Sequence, residues 1–311
     1  MTTLPTRNLD NYRSIWTDLS TTSFRQGYIT AGGIRTRYVQ AGDPQAPALL
    51  MLHGTGGSWE TFSANLGPLS QHFNCIAFDM VGSGYSDKPD VDYEIDVYVS
   101  HAHEVMKSFG LKSASFVGVS LGSWVAARFA LTHPEMTDKL VLVSPAGLIS
   151  NAANMAHIVA QRSQAADSPT WDNIKDVFTR LIMDEKNRID DMVAVRRAIY
   201  SLPGAKQATQ HVLVLQDPEV RKRNTIQEPE WAQLTAPVLL IGAVDDPDAY
   251  FETAQRLRTM LPNPSYVEVK KVGHWAHFED PAAFNRASLA FLLGQQNSSE
   301  DDSDTLRQVA R

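Results

Sequence analysis

The hydrophobic positions of the chain fall into short continuous runs that are separated by helical patterns. Five runs stand out: Ala48–Leu52, Cys75–Phe78, Ser115–Val119, Leu140–Val143 and Val238–Ile241. Near-continuous apolar runs of this length are typical of strands that are buried on both faces of a parallel sheet. The helical pattern that begins at Leu121 stops before Pro134, where a helix should end. The alternation predicts an α/β protein, a mostly parallel sheet covered by helices.

Two further patterns extend this sheet. Residues 25–41 read as two strands joined through Gly32-Gly33, a pair of residues typical of a hairpin turn. A last strand is expected at Tyr266–Val272. The hairpin therefore adds two strands before the five apolar runs, and the last strand adds one after them.

The interval between Val143 and Val238 is too long for a single crossover connection. It contains three amphipathic stretches and no clear strand: Met155–Ala165, Thr170–Met183 and Ile189–Ser201. We interpret residues 148–235 as a helical cap inserted between two halves of a core domain, 1–147 and 236–294. The polar stretch 295–311 is predicted to be disordered, since it has few residues that could form a core.

Composition narrows the class of protein. The 311 residues are 43% hydrophobic and 20% charged, with a net charge of −7, which indicates an ordinary globular protein without the basic surface that nucleic acids or anionic membranes require. The single Cys75 cannot form an internal disulfide or a cysteine metal cage, and His101 and His103 do not share a helix face, so no metal is expected. No run is long enough for a membrane span, and no apolar secretory segment is visible at the N-terminus, so we expect a cytoplasmic protein.

The strongest motif is Gly118-Val119-Ser120-Leu121-Gly122, which follows a buried strand and precedes a helix. This is the context that the G-x-S-x-G nucleophile elbow requires. The turn is tight and strained, so its flanking positions favour glycine. Ser120 is therefore the candidate nucleophile.

A serine hydroxyl needs an adjacent base, which an acid holds in orientation. The chain supplies both in the expected order of serine, acid and histidine. For the acid we favour Asp245, with Asp246 close behind and Asp248 third. For the base we favour His274, which follows a glycine directly after the last strand, over His277.

A third requirement is an oxyanion hole. One donor is expected to be the N–H of Leu121, and the other the N–H of Thr55 in the loop His53-Gly54-Thr55-Gly56-Gly57. No nucleotide-binding glycine motif follows this loop, so a phosphate-binding role is not supported. His53 is interpreted as a structural residue.

Together these motifs resemble the α/β-hydrolase family over residues 25–293. The likeness also includes the turn Asp79–Ser86 and the segment that runs from Gly273 to Pro281. The resemblance implies an α/β-hydrolase fold, an eight-stranded mostly parallel sheet with the cap inserted after the sixth strand. It implies no cofactor and no partner other than a small-molecule substrate, and it leaves a homo-oligomer open.

Within that family the chain is similar to meta-cleavage-product hydrolases, which hydrolyse a carbon–carbon bond in vinylogous 1,5-diketones from aromatic degradation. The likeness rests on Trp275, on the ending HWAHFEDPAAFNR and on Arg196, which resembles the family's carboxylate-binding arginine. It implies that the substrate is bound by Gly54, Gly56, Val119, Arg196 and Trp275.

Three positions depart from the pattern of these enzymes. The oxyanion loop lacks a Pro-Gly-Ala extension, Val119 stands where asparagine is usual, and Ala249 stands where proline is usual. A carboxylesterase or lactonase acting on a hydrophobic substrate therefore stays open, as does a ligand receptor with slow turnover, since fold alone does not fix function.

Overall fold

One sheet organises the chain in the computed structural model, which describes residues 13–295 and 306–307. Its strands are β1 (Phe24–Ala31), β2 (Ile34–Ala41), β3 (Ala48–Leu52), β4 (Asn74–Phe78), β5 (Ala114–Val119), β6 (Thr137–Val143), β7 (Val238–Ala243), β8 (Ser265–Val269) and β9 (Leu306–Arg307). Their spatial order is β1-β2-β4-β3-β5-β6-β7-β8-β9. From β4 to β8 the neighbours are parallel, whereas β1, β2 and β9 pair antiparallel. The predicted eight-stranded, mostly parallel sheet is confirmed, with the two-residue β9 added at its edge.

The central strands are buried along their whole length, as their uninterrupted apolar sequences predict. Every residue of β3, β4, β5 and β7 is buried. In parallel sheets ligands bind outside the carboxyl ends of the strands. The loops that follow β3, β5, β7 and β8 carry the candidate oxyanion loop, nucleophile, acid and base, so the sheet brings these loops to one edge.

Helices fill the connections between the strands. They are α1 (Ile15–Leu19), α2 (Ser63–Ser70), α3 (Ile95–Ser108), α4 (Leu121–Thr132), α5 (Ala152–Asp167), α6 (Trp171–Val177), α7 (Asp190–Tyr200), α8 (Ala205–Leu213), α9 (Pro218–Asn224), α10 (Glu228–Trp231), α11 (Tyr250–Met260), α12 (Ala276–Glu279) and α13 (Pro281–Leu292). Within the described residues, no helix is both long and apolar enough to cross a bilayer.

Helices α5 to α10 all lie between β6 and β7, although these two strands are neighbours in the sheet. The three predicted amphipathic stretches form α5, α6 and α7, and α6 ends earlier than predicted, at Val177. Buried residues of these helices, among them Ile174 and Val193, join the same hydrophobic cluster as Val143 of the sheet. The cap helices therefore pack directly on the core, and the division into core and cap domains stays a prediction.

The last long strand ends three residues earlier than the predicted Val272. β8 stops at Val269, and Lys271 adopts a positive φ of 59°. The Lys271 N–H donates to Asp245 Oδ2 over 2.7 Å, which turns the chain away from the sheet. Of the stretch predicted to be disordered, most lies outside the described residues; Leu306–Arg307 pair with β8.

Candidate active site

Ser120 sits on a sharp turn between β5 and α4. Its backbone has φ 54° and ψ −115°, a region that costs a non-glycine residue of the order of 1–3 kcal/mol. A Cβ added at Gly118 would lie 2.4 Å from the Gly122 carbonyl oxygen, and one at Gly122 would lie 2.1 Å from the Leu52 carbonyl oxygen. Both positions therefore require glycine, and the strand–turn–helix context predicted for the motif is confirmed.

The imidazole of His274 is held by a buried carboxylate, that of Asp246. His274 Nδ1 and Asp246 Oδ2 lie 2.7 Å apart, and the two residues are only 5% and 9% exposed. The other carboxylate oxygen of Asp246 accepts the N–H of Asp248 over 3.0 Å. A carboxylate at Nδ1 favours the tautomer with its proton there, which leaves Nε2 as the basic nitrogen.

The prediction of Asp245 as the acid is therefore wrong in this structure. Asp245 is exposed, and its carboxylate accepts the N–H of Lys271 on the surface. After β7 the N–H of Asp246 returns to the Ala243 carbonyl over 3.3 Å, so the chain turns and the second acid faces inward. Asp248 does not hold the histidine either, because it forms an ion pair with Arg180.

His277, the alternative base, has a different environment. It is fully buried, with Nε2 2.9 Å from the Thr61 hydroxyl. Burial and the neighbouring His274 lower the pKa of His277 to about 3. A histidine that stays neutral and contacts Thr61 fits a structural role, whereas the ring of His274 lies against Tyr250 with centroids 4.2 Å apart.

Ser144 and Glu279, neither of which the sequence predicts to have a role, hold the loop around His274 in place. The Ser144 hydroxyl donates to the His274 carbonyl over 2.9 Å. Glu279 accepts the N–H of Gly273 over 2.6 Å with one oxygen and the N–H of Asp184 over 2.9 Å with the other. Glu279 thus fastens the loop before His274 and also reaches the cap segment between α6 and α7.

The loop after β3 is braced by His53, as its structural interpretation requires. His53 Nδ1 donates to the Gly54 carbonyl over 2.7 Å, and Nε2 accepts the N–H of Met80 over 3.0 Å. Among the described hydrogen bonds, the N–H groups of Thr55 and Leu121 have no acceptor. Leu121 is the first residue of α4, where helix amides lack internal partners and favour negative charge.

One cavity brings these groups together. Its lining comes from the core loops and from the cap: Gly54, Thr55, Ser120, Asp248, Tyr250, His274 and Trp275, with Asn154, His157, Ile158, Gln161, Arg162, Arg180 and Leu181. A second cavity shares Thr55 and Arg162 with it and is also lined by Gly56 and Tyr200. A cleft lined by a few polar groups among apolar ones is the usual kind of site for a small organic ligand. The described hydrogen bonds do not join the Ser120 hydroxyl to His274, a contact that free enzymes commonly complete only with substrate bound.

Two of the residues expected to bind substrate lie elsewhere. Val119 is fully buried in the hydrophobic cluster with Met51 and lines neither cavity, so that prediction is wrong. Successive side chains of a strand point to opposite faces, and Val119 faces the core. Arg196 also lines neither cavity; it is 4% exposed, with its guanidinium carbon 4.6 Å from the Phe178 ring centre and 5.6 Å from that of Trp275.

Comparison with known proteins identifies relatives over most of the chain. The model of the alpha/beta hydrolase family matches residues 49–287. A curated relative, 2-hydroxy-6-oxo-6-(2'-aminophenyl)hexa-2,4-dienoic acid hydrolase of Metapseudomonas resinovorans, is 28% identical over 280 residues, which cover 88% of this chain and 92% of the relative.

Solved structures share the fold. The 2-hydroxy-6-oxo-6-phenylhexa-2,4-dienoate hydrolase from Rhodococcus sp. strain RHA1 superposes with a TM-score of 0.79 at 21% identity, over 88% of this chain and all of that one. The enol-lactonase from Burkholderia xenovorans LB400 gives a TM-score of 0.73 at 20% identity, over 86% and 100%. Since the family model covers well over half of the sequence, the chain belongs to the α/β hydrolase family and is an enzyme of that family.

Proposed function

We propose that the chain is a serine hydrolase that cleaves a carbon–carbon bond in a ring-cleavage dienoate. The observation that carries the proposal is the placement of Ser120, on its strained turn, in one cavity with His274, whose Nδ1 is held by Asp246. The names of the curated relatives support the bond type, because the first of them acts on a dienoic acid of this class.

The mechanism follows from what these groups can do. His274 Nε2 takes the proton of Ser120 Oγ, and the oxygen adds to the substrate carbonyl carbon. The negative charge that develops on the carbonyl oxygen is stabilised by the N–H groups of Thr55 and Leu121, each worth about 3–4 kcal/mol in comparable sites. The carbon–carbon bond then breaks, the leaving carbon gains a proton, and water hydrolyses the acyl-enzyme to a carboxylic acid.

A conjugated diketone suits this reaction, because cleavage of the carbon–carbon bond leaves a carbanion that the vinylogous ketone delocalises. The cap contributes polar groups to the lining, among them Gln161 and Arg162, and the aromatic Trp275 also lines it. A substrate with a polar, charged end and an apolar end fits such a mixed lining.

A lactonase or carboxylesterase is the second candidate. Val119 packs in the core, so the position before the nucleophile gives the cavity no polar side chain. The enol-lactonase neighbour shares the fold, which is compatible with either chemistry. An ester or lactone needs the same serine, base and oxyanion donors.

The test compares one ring-cleavage dienoate, one enol-lactone and one neutral p-nitrophenyl ester with wild type and Ser120→Ala. We expect the dienoate to have the highest kcat/KM, and Ser120→Ala to lower kcat by roughly 10⁴–10⁶ with an unchanged far-UV spectrum. A higher kcat/KM for the lactone or ester would reject carbon–carbon cleavage. More than a few per cent residual activity in Ser120→Ala would reject the serine mechanism, and a single turnover in wild type would indicate a receptor.

A further inference from the structure

We propose that Asn154 and His157 on α5 form a binding site in the catalytic cavity for a hydroxyl group of the substrate. The inference deepens the proposed function and rests on it for one assumption, that a substrate enters this cavity. It names the chemical group that the cap side of the cavity recognises.

One face of α5 supplies polar side chains to the cavity. Asn154, His157 and Gln161 all belong to the lining, and their spacing of three and four residues places them on the same face of the helix. The side chain of Asn151 caps this helix and accepts the N–H of Asn154 over 3.0 Å. The first turn of α5, which carries Asn154, is therefore held in place.

Two atoms on this face are buried and have no hydrogen-bond partner among the described residues, Asn154 Oδ1 and His157 Nε2. The Asn154 side chain hydrogen-bonds the Tyr250 hydroxyl, but Oδ1 takes no part in a bond. Gln161, in contrast, donates its amide to the Asp176 carbonyl over 2.8 Å and to the Asp176 carboxylate over 2.9 Å. A buried polar atom without a partner costs free energy, so the two atoms call for a ligand that pairs with them.

The other polar side chains that the cap adds to this lining are cations with partners of their own. Arg162 hydrogen-bonds Tyr200, and Arg180 forms an ion pair with Asp248. An arginine can only donate, whereas an amide oxygen accepts and a neutral imidazole nitrogen can do either. The pair on α5 therefore offers the ligand an acceptor and a donor side by side.

A hydroxyl group matches this pair, because it donates one hydrogen bond and can accept others. It can donate to Asn154 Oδ1 and accept from His157 when the imidazole carries its proton on Nε2. Side chains three residues apart on a helix have Cβ atoms about 5–6 Å apart, a gap that one oxygen can bridge with two hydrogen bonds of ordinary length. A carboxylate fits less well, because its oxygens would face the Asn154 oxygen without a proton between them.

The experiment measures binding and requires no turnover. The probes are phenol and fluorobenzene, in which a fluorine of similar size replaces the hydroxyl group and donates no hydrogen bond. The readout is the ratio of their dissociation constants, measured by ligand-observed NMR. We expect wild type to bind phenol at least about tenfold more tightly than fluorobenzene, and we expect this preference to fall about fivefold in Asn154→Leu and in His157→Phe, as is typical when one hydrogen bond is lost.

Matched variants separate hydrogen bonding from changes of shape. His157→Gln keeps an amide group that can replace Nε2 and should retain most of the preference for phenol. Ile158 lines the same cavity from the next position of α5, so Ile158→Ala changes the shape of the lining and should leave the ratio unchanged. Tyr250→Phe should also leave it unchanged, because phenol is assigned to Asn154 Oδ1 and not to the Tyr250 hydroxyl. If Asn154→Leu does not fold, Asn154→Ala removes the same oxygen.

Three outcomes overturn the inference: equal binding of the two probes by wild type, an unchanged preference in a folded apolar variant of Asn154 or His157, or an equal loss in Ile158→Ala or Tyr250→Phe. A wild type that binds phenol as expected but does not cleave the dienoate overturns the proposed function alone, since binding is measured without cleavage.

Discussion

At the scale of single residues, the neighbouring acids Asp245 and Asp246 have opposite environments. Asp246 is buried against His274, whereas Asp245 is exposed and accepts a backbone amide. We expect Asp246→Asn to lower kcat by about 10⁴, because an amide stabilises the wrong imidazole tautomer. Asp245→Asn should change kcat by about twofold at most, as exposed substitutions usually do.

The measurement is kcat for a p-nitrophenyl ester with both variants, together with their melting temperatures. The two substitutions are isosteric and adjacent, so each serves as the control of the other. A larger loss of kcat in Asp245→Asn than in Asp246→Asn would show that Asp245 is the acid of the site.

The residue scale is also where sequence reasoning reaches its limit. The motif around Ser120 and the glycine before His274 are local signals, and both lead to the same cavity. The choice between Asp245 and Asp246 depends on a turn of one residue, which no pattern encodes. No sequence pattern indicates that Arg162 lines the cavity. An arginine on an amphipathic helix is predicted to be exposed, because its charged end usually reaches solvent.

At the scale of elements, the cap is fastened to the core by a histidine. His211 in α8 has Nε2 2.8 Å from an Asp90 carboxylate oxygen and Nδ1 2.9 Å from one of Asp92. Both acids lie in the loop before α3. Hydrogen bonds to Asp92 and then to Asp90 raise the pKa of His211 above its usual value.

This contact should depend on pH. A group whose pKa is raised on folding stabilises the folded state fully below its unfolded pKa of about 6.5, and the gain is lost as pH rises through the folded value. We therefore expect the urea midpoint of wild type to fall relative to that of His211→Gln from about pH 6.5 upward. The check is the difference between the two midpoints across that range. A difference that stays constant with pH would contradict the assignment.

The elements themselves were largely readable from the sequence. Strands buried on both faces leave uninterrupted apolar runs, and amphipathic cap helices leave a helical period, so both were predicted. The end of β8 was not predicted. There the N–H of Lys271 donates to the carboxylate of Asp245, a residue distant in sequence, and the chain leaves the sheet. Boundaries set by such contacts carry no local pattern.

At the scale of the whole molecule, cap and core share one hydrophobic cluster, which includes Phe178 and Trp275. Phe178 is fully buried and meets Trp275 edge to face with ring centres 5.7 Å apart. We expect Phe178→Ala to lower the free energy of unfolding by about 3–5 kcal/mol. Because the cluster is continuous, we also expect one transition in which far-UV and near-UV signals coincide.

Urea unfolding followed by both signals is the measurement, with Trp171→Ala as the control. Trp171 lies on the same cap but is 37% exposed, so its removal should cost far less. An early transition confined to one signal would show that the cap unfolds separately.

The arrangement of the whole could be predicted only in outline. The long interval after β6 indicates an insertion, and the family resemblance implies the number of strands. No pattern of residues gives the spatial order in which the strands pair. Which cap side chains reach Ser120 depends on how α5 crosses the sheet. That crossing is set by packing among residues far apart in sequence.

The carboxylate of Glu279 has a kinetic consequence. It accepts one amide from the loop before His274 and one from the cap at Asp184. Any movement that lifts the cap to admit substrate or release product breaks one of these bonds and loosens the support of the base. Opening of the cap and proton transfer by His274 are therefore expected to alternate in each catalytic cycle, because the base is aligned only while the cap is closed over the site.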